Sequence, residues 1–170
     1  METNRMKSKS LFTLAAVVAV TGAGLALCAR GQAKKEAAPA TRTIVHYGDL
    51  KWTPIMKGMD LAVVSGDPSA AGGLYVVRIR CAEGTKIPPH WHPEDENVTV
   101  LKGTLLVGMG ETFDESKLQT MNVGNFIAVA KEMRHFAVSK GETIVQVHGV
   151  GPFKVNWVNP AEVIPPDAKK

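Results

Sequence analysis

The stretch Gly84 to Gly103, GTKIPPHWHPEDENVTVLKG, holds two imidazoles and a carboxylate within seven positions, at His90, His92 and Glu96. The run Val98, Thr99, Val100, Leu101 that follows has the β-branched character of a strand. Side chains in a strand alternate between faces, so His90 and His92 project to one side and Trp91 to the other. Pro93-Glu94-Asp95 reads as a turn, and counting on from it puts Glu96, Val98 and Val100 on one face of the next strand. With that face turned inward, Glu96 brings an oxygen donor to the two imidazoles inside an apolar pocket. Pro88 and Pro89 stiffen the approach and limit the entropy lost when the site orders.

Outward from this segment the pattern is strand and turn. Short β-rich runs stand at Ile44–Tyr47, Leu61–Ser65, Leu74–Cys81, Asn97–Leu101, Thr104–Met109, Asn125–Val129, His135–Ser139, Thr143–His148 and Lys154–Val158. Clusters such as Ser65-Gly66-Asp67-Pro68 and Ser139-Lys140-Gly141-Glu142 separate them. Only Asp114 to Leu118 suggests a helical turn. Many short strands at this spacing predict an all-β sandwich or barrel.

Gly84, His90, His92, Glu96 and Gly103, with five, one, three and six residues between them, resemble the first motif of the cupin superfamily at every fixed position. The run from Gly124 to His135 resembles the second motif, with glycine and histidine correctly spaced. Where that family usually has proline, glycine and a later asparagine, this chain has Ala130, Glu132 and Ser139. A glutamate takes a positive φ less cheaply than glycine, so the turn before His135 is where a departure is expected. The resemblance covers roughly residues 70 to 150. It implies a small single-domain cupin, a single antiparallel β-barrel of jelly-roll type. It further implies that His90, His92, Glu96 and His135 hold one divalent transition metal.

Mixed imidazole and carboxylate ligation suits iron, manganese, nickel, cobalt, copper or zinc, and affinity alone does not choose among them. Four side-chain ligands leave one or two positions for water or substrate, as catalytic metals need. Two functions follow. One is a metalloenzyme that oxidises or cleaves a small organic molecule in a dioxygenase-like way, with Glu96 as a catalytic base. The other is a non-catalytic exported protein that binds a metal or small ligand. The expected partner is a small molecule, with the chain acting alone or as a homodimer. Arg78 and Arg80 share a strand face; turned inward they would clamp an anionic substrate, turned outward they are a solvated face. Ile144, Gln146 and His148 also share a face, and an inward orientation would make Gln146 or His148 a substrate contact or proton shuttle. The methionines at 109, 121 and 133 either line the pocket or pack the core.

At 170 residues and 45% hydrophobic content the chain has room for one domain with a real core. Its net charge of +4 is mostly N-terminal, since Arg5, Lys7, Lys9 and Arg30 oppose Glu2 alone in the first 33 residues. Little surplus is left on the rest, and nothing suggests nucleic acid. Residues 1–33 have the layout of a cleaved export signal, with a basic start, an apolar run from Leu11 to Ala29 and small residues at Gly31-Gln32-Ala33. That run is also long enough for a membrane anchor, and Leu27-Cys28 admits a lipoprotein. Cleavage predicts a periplasmic or secreted protein free of the membrane. Residues 34–43 read as a flexible spacer, 44–160 as the barrel domain and 161–170 as a tail. Once the signal is removed Cys81 stands alone, so no internal disulfide is available.

Overall fold

Alternation of buried and partly exposed residues in Leu74–Cys81 (β3) sets the architecture: Tyr75, Val77, Ile79 and Cys81 are buried, while Val76, Arg78 and Arg80 face the other way. The computed structural model describes residues 42–167. The expected export signal, the spacer as far as residue 41 and Cys28 lie outside the described residues. Before β3 come Thr53–Met56 (β1) and Met59–Ser65 (β2); after it come Lys86–Trp91 (β4), Glu96–Met109 (β5), Gln119–Asn122 (β6) and Phe126–Val129 (β7). His135–Val150 (β8) and Asn156–Trp157 (β9) complete one nine-stranded antiparallel sheet. The sheet curls into a half-barrel, as the jelly-roll expectation requires. β1, β2, β3, β8, β4 and β9 are neighbours in that order, and β5 pairs with β8 while carrying β6 and β7.

The inner face is apolar. Val77, Val100 and Val147 are essentially sealed from solvent, and Met56, Met59, Leu105, Val107 and Met121 pack in the same cluster. Phe136 is fully buried on the outside of β8, where its ring fills the space above Gly108 and meets Phe113 at 4.9 Å. A side chain buried this completely contributes about 3–5 kcal/mol against truncation to alanine.

The two longest strands correct the sequence reading. Asn97–Leu101 and Thr104–Met109 are halves of β5, and His135–Ser139 and Thr143–His148 are halves of β8. The glycines between them bend the strands instead of ending them. Gly103 has φ +72°, and a Cβ there would collide with the carbonyl of Glu142. Register shifts flank it at Val100/Lys102 and Lys102/Thr104, the bulges by which a long strand passes from one wall of a barrel to the other. Ile44–Tyr47 forms no strand; it is exposed and runs into a 3-10 turn at Tyr47–Asp49. β1 and β6 were not legible as strands, being four residues each and mostly exposed. The expected helical turn is a 3-10 turn at Glu115–Lys117, capped by the Asp114 carboxylate accepting from the Ser116 amide.

Candidate metal centre

β4 delivers His90, the residue after it delivers His92, the first residue of β5 is Glu96, and the first residue of β8 is His135. The pairing of His90 with His135 across β4 and β8 brings the two sequence motifs together. One donor nitrogen from each of His90, His92 and His135 lies within 4.8 Å of the others. Glu96 Oε1 is 3.5 Å from His92 Nε2, and its Oε2 is 3.3 Å from His135 Nε2. All four residues are buried.

Each ring is fixed by a backbone carbonyl. His90 Nδ1–H donates to the Pro88 carbonyl at 2.8 Å, His92 Nδ1–H to that of Lys154 at 2.9 Å, and His135 Nδ1–H to that of Met133 at 3.0 Å. A carbonyl can only accept, so the proton sits on Nδ1 in every case and Nε2 is left as the donor atom. His92 Nε2 is buried with no hydrogen-bond partner among the described residues. A polar atom left unsatisfied in a dry interior is costly, and a missing ligand is a standard reason for one.

The protonation states suit a cation. Burial, reinforced by the charge of His135, pushes His90 down to about 3, and burial lowers His92 as well. Burial works against the Glu96 carboxylate too. The hydrogen bond from His135 and the charges of the three histidines outweigh it and hold Glu96 below its ordinary range. His135 is raised: burial disfavours its cation, but the hydrogen bond and charge of Glu96 prevail. The pocket therefore carries an ionised carboxylate and two neutral imidazoles, with the third proton balanced against Glu96. This donor set fits a divalent transition metal, and the orphaned His92 Nε2 is the atom that a metal would satisfy.

A family model of the ChrR cupin-like domain matches residues 40–154. The chain belongs to that cupin family. Among curated proteins it is similar to the rice (Oryza sativa subsp. japonica) germin-like protein 3-1, with 37% identity over 67 residues, 39% of this chain and 30% of that protein. It is also similar to Arabidopsis thaliana germin-like protein subfamily 1 member 1, with 29% identity over 99 residues, 57% of this chain and 46% of that protein. The chain thus spans less than half the length of the curated relatives it matches. Among solved structures it is similar to the polyketide cyclase RemF of Streptomyces resistomycificus, with TM-score 0.59, 18% identity, 72% of this chain and 89% of that one. KdgF from Halomonas sp. matches with TM-score 0.53, 17% identity, 65% of this chain and 96% of that one. At these identities the two structures establish the cupin fold alone.

In this cupin the site is also covered from its C-terminal side. Phe153 stacks on His92 at 4.9 Å with 14° between the planes, and the Trp157 ring lies 5.2 Å from that of His90. β9 pairs with β4 at His90–Trp157, and the Val158 amide donates to the Pro89 carbonyl. Neither aromatic carries a local sequence signature of this role, because their contacts with the histidines span more than 60 residues of chain, as the His92–Lys154 separation of 62 illustrates. Tyr75, also unmarked, is buried against Phe153 at 5.4 Å, and burial with the Glu96 charge raises its phenol above the ordinary range.

The remaining expected residues do not join the imidazoles. Arg78 donates from Nε to Gln146 Oε1 at 3.4 Å, and Arg80 forms a 2.7 Å ion pair with Asp60 beneath the Trp52 ring. Both arginines and Gln146 sit opposite the buried faces of β3 and β8, and His148 is exposed near Phe126. Of the two orientations the strands admit, these residues take the solvated one, and the substrate contacts expected of an inward orientation are absent, because Val77, Val145 and Val147 occupy the inner positions of those strands. Met121 belongs to the core and Met133 is exposed, serving the site through its carbonyl. Met109 is cross-strand from His135. Cys81 is free and buried, and burial, with the Asp60 charge, pushes its thiol up to about 12.

Glu132 is the one non-glycine with positive φ among the described residues, at 62°. It therefore takes the conformation its glycine counterpart in the motif would supply. Its amide donates to the His92 carbonyl at 2.8 Å, tying the two motifs at the backbone.

Proposed function

We propose that the protein is an exported, metal-dependent cupin that oxidises or cleaves a small organic molecule in a dioxygenase-like way. The observation that carries this reading is the donor set, three imidazoles locked through Nδ1 to carbonyls, with His92 Nε2 unpartnered among the described residues and His135 Nε2 against the ionised Glu96 carboxylate. His90, His92 and His135 would hold the ion with Glu96 as its anionic donor. Iron, manganese, nickel, copper and zinc all suit this set. When bound, such an ion supplies Lewis acidity and, if redox-active, one-electron chemistry with oxygen.

The chain's own part is to position and to exclude. Glu96, kept ionised, is the base placed to take a proton from an incoming enol or phenol at Oε1 or Oε2. Phe153 and Trp157 keep water from the imidazoles. The test is metal analysis of protein purified without added metal, followed by oxygen-uptake screening against enols, catechols, diketones and small carboxylates. Glu96→Gln retains metal and loses turnover by about a hundredfold or more. Metal-loaded wild-type protein that turns over none of the panel overturns the enzymatic reading.

A non-catalytic metal- or ligand-binding protein is favoured by one observation. His90, His92, Glu96 and His135 are only 7%, 4%, 6% and 5% exposed. In that case Glu96→Gln weakens metal binding and there is no activity to lose. Export is proposed from the pattern of residues 1–33; mass spectrometry of the mature N-terminus from cell fractions tests it, and an intact residue 1 in the cytoplasm overturns it.

A further inference from the structure

Among the described strands, β6 and β7 each pair with β5 alone, so the sheet is left open between them. A cleft of about 630 Å³ lies at this opening, within the size range of small-molecule sites. Its floor is Val107, Met121 and Ile127, which belong to the core or pack against it, and Met109 and Leu118 extend the apolar wall. Lys117 is the single charged side chain on its lining among the described residues. Its exposed ammonium is only loosely paired, 3.7 Å from Asp114.

Register connects this cleft to the imidazoles. Met109 lies directly across from His135 and Val107 across from Ala137, so strand alternation puts Met109, Val107 and His135 on one face. On the other side, Ile127 pairs with Val98, one step along the same face from the Glu96–Val129 pair. The cleft is thus bounded by the cross-strand partner of His135 and by a diagonal neighbour of Glu96, while Phe153 and Trp157 block the approach to His92 and His90.

We propose that this cleft is the ligand site, and that its ligand has an apolar body and one carboxylate or phenolate group met at the rim by Lys117. Six apolar side chains, Phe126 among them, would desolvate the body, and a single lining cation selects an acid over its neutral isostere. This deepens the proposed function, on which it rests for its purpose, but binding in the cleft is measurable without metal.

The experiment titrates isotope-labelled, metal-free protein with 4-phenylbutanoate and 4-phenylbutanamide, following backbone amides by NMR, with metal content measured separately on each variant. Saturable shifts are expected at Val107, Met109, Met121 and Ile127, with the acid preferred by up to about fivefold, the scale of one exposed ion pair. Lys117→Gln removes the preference. Leu118→Trp, at a half-exposed wall position, weakens both probes by about tenfold or more through overpacking. Metal content is unchanged in both variants. Absence of saturable shifts, shifts centred elsewhere, or equal affinity in Leu118→Trp overturns the site, and an amide bound as tightly as the acid overturns the role of Lys117. Cleft binding without any metal leaves this inference standing and removes the metal-dependent reading; metal without cleft binding does the reverse.

Discussion

His90 and His92 each lack a replacement donor, because the carbonyls around them can satisfy only N–H groups. His90→Ala or His92→Ala is expected to abolish stoichiometric metal. It should also remove the melting-temperature gain on metal addition, since a ligand bound only by the native state stabilises it by about 2.7 kcal/mol at a hundred times its dissociation constant. Unchanged metal content in the His90→Ala, His92→Ala double variant would place the ion elsewhere. Glu132 gives a second residue-scale test. A left-handed conformation costs a non-glycine about 1–2 kcal/mol, whereas glycine costs about 0.4–1 kcal/mol through the unfolded chain. Glu132→Gly should therefore be stabilising by up to about 1 kcal/mol, and Glu132→Val destabilising, in denaturant melts; the opposite order would show that the Glu132 side chain holds the turn. His90, His92 and Glu96 were legible in the sequence because they are close in the chain and share a strand face. The Lys154 carbonyl was not, since a backbone acceptor carries no residue signature and sits 62 positions from the ring it holds.

The strands that build the half-barrel were legible where one face is buried and the other is wet, as in β3, and illegible where length or bending hides the alternation. β5 and β8 read as two strands apiece because Gly103 and Gly141, with φ of +72° and +74°, look like turn glycines. In the sheet they mark curvature, which depends on where the neighbouring strand goes, and local composition does not encode that. The C-terminal segment from Phe153 to Trp157 matters more to the site than its two-residue strand suggests. It places a ring on His92, a ring near His90 and a carbonyl on His92 Nδ1. Loss of such supporting contacts typically weakens metal affinity by about 10–100-fold. Phe153→Ala is expected to fall in that range by competition with a chelator. Arg78→Ala, on the outer face, should leave affinity unchanged. Equal effects of the two would mean that the segment merely caps the fold.

At the scale of the whole molecule, the buried imidazoles make folding sensitive to acid. His90 is held at about 3 in the folded protein, while an unfolded histidine titrates near 6.5. Between those values the unfolded chain binds a proton that the native site refuses, so stability falls as pH falls, by at most about 1.4 kcal/mol per pH unit for this group. His92 is also lowered and acts in the same direction. Glu96, lowered as well, contributes stability above the unfolded carboxylate range that is lost as pH drops through its folded value. His135 opposes them: its raised value gives a contribution that is full in acid and is lost as pH rises through it. Protons and a metal compete for the same Nε2 atoms, so the stabilisation by metal should shrink over the window in which the imidazoles of the unfolded chain become charged. Denaturant melts of metal-free protein from pH 7.5 to 4.5 should show stability decreasing with acid. His90→Gln, which keeps a polar side chain but binds no proton, should flatten that slope. The slope is the deciding quantity, because substitution at a buried site lowers stability at every pH whatever the titration behaviour. A variant whose slope matches that of the wild type would show that His90 is not the group refusing the proton.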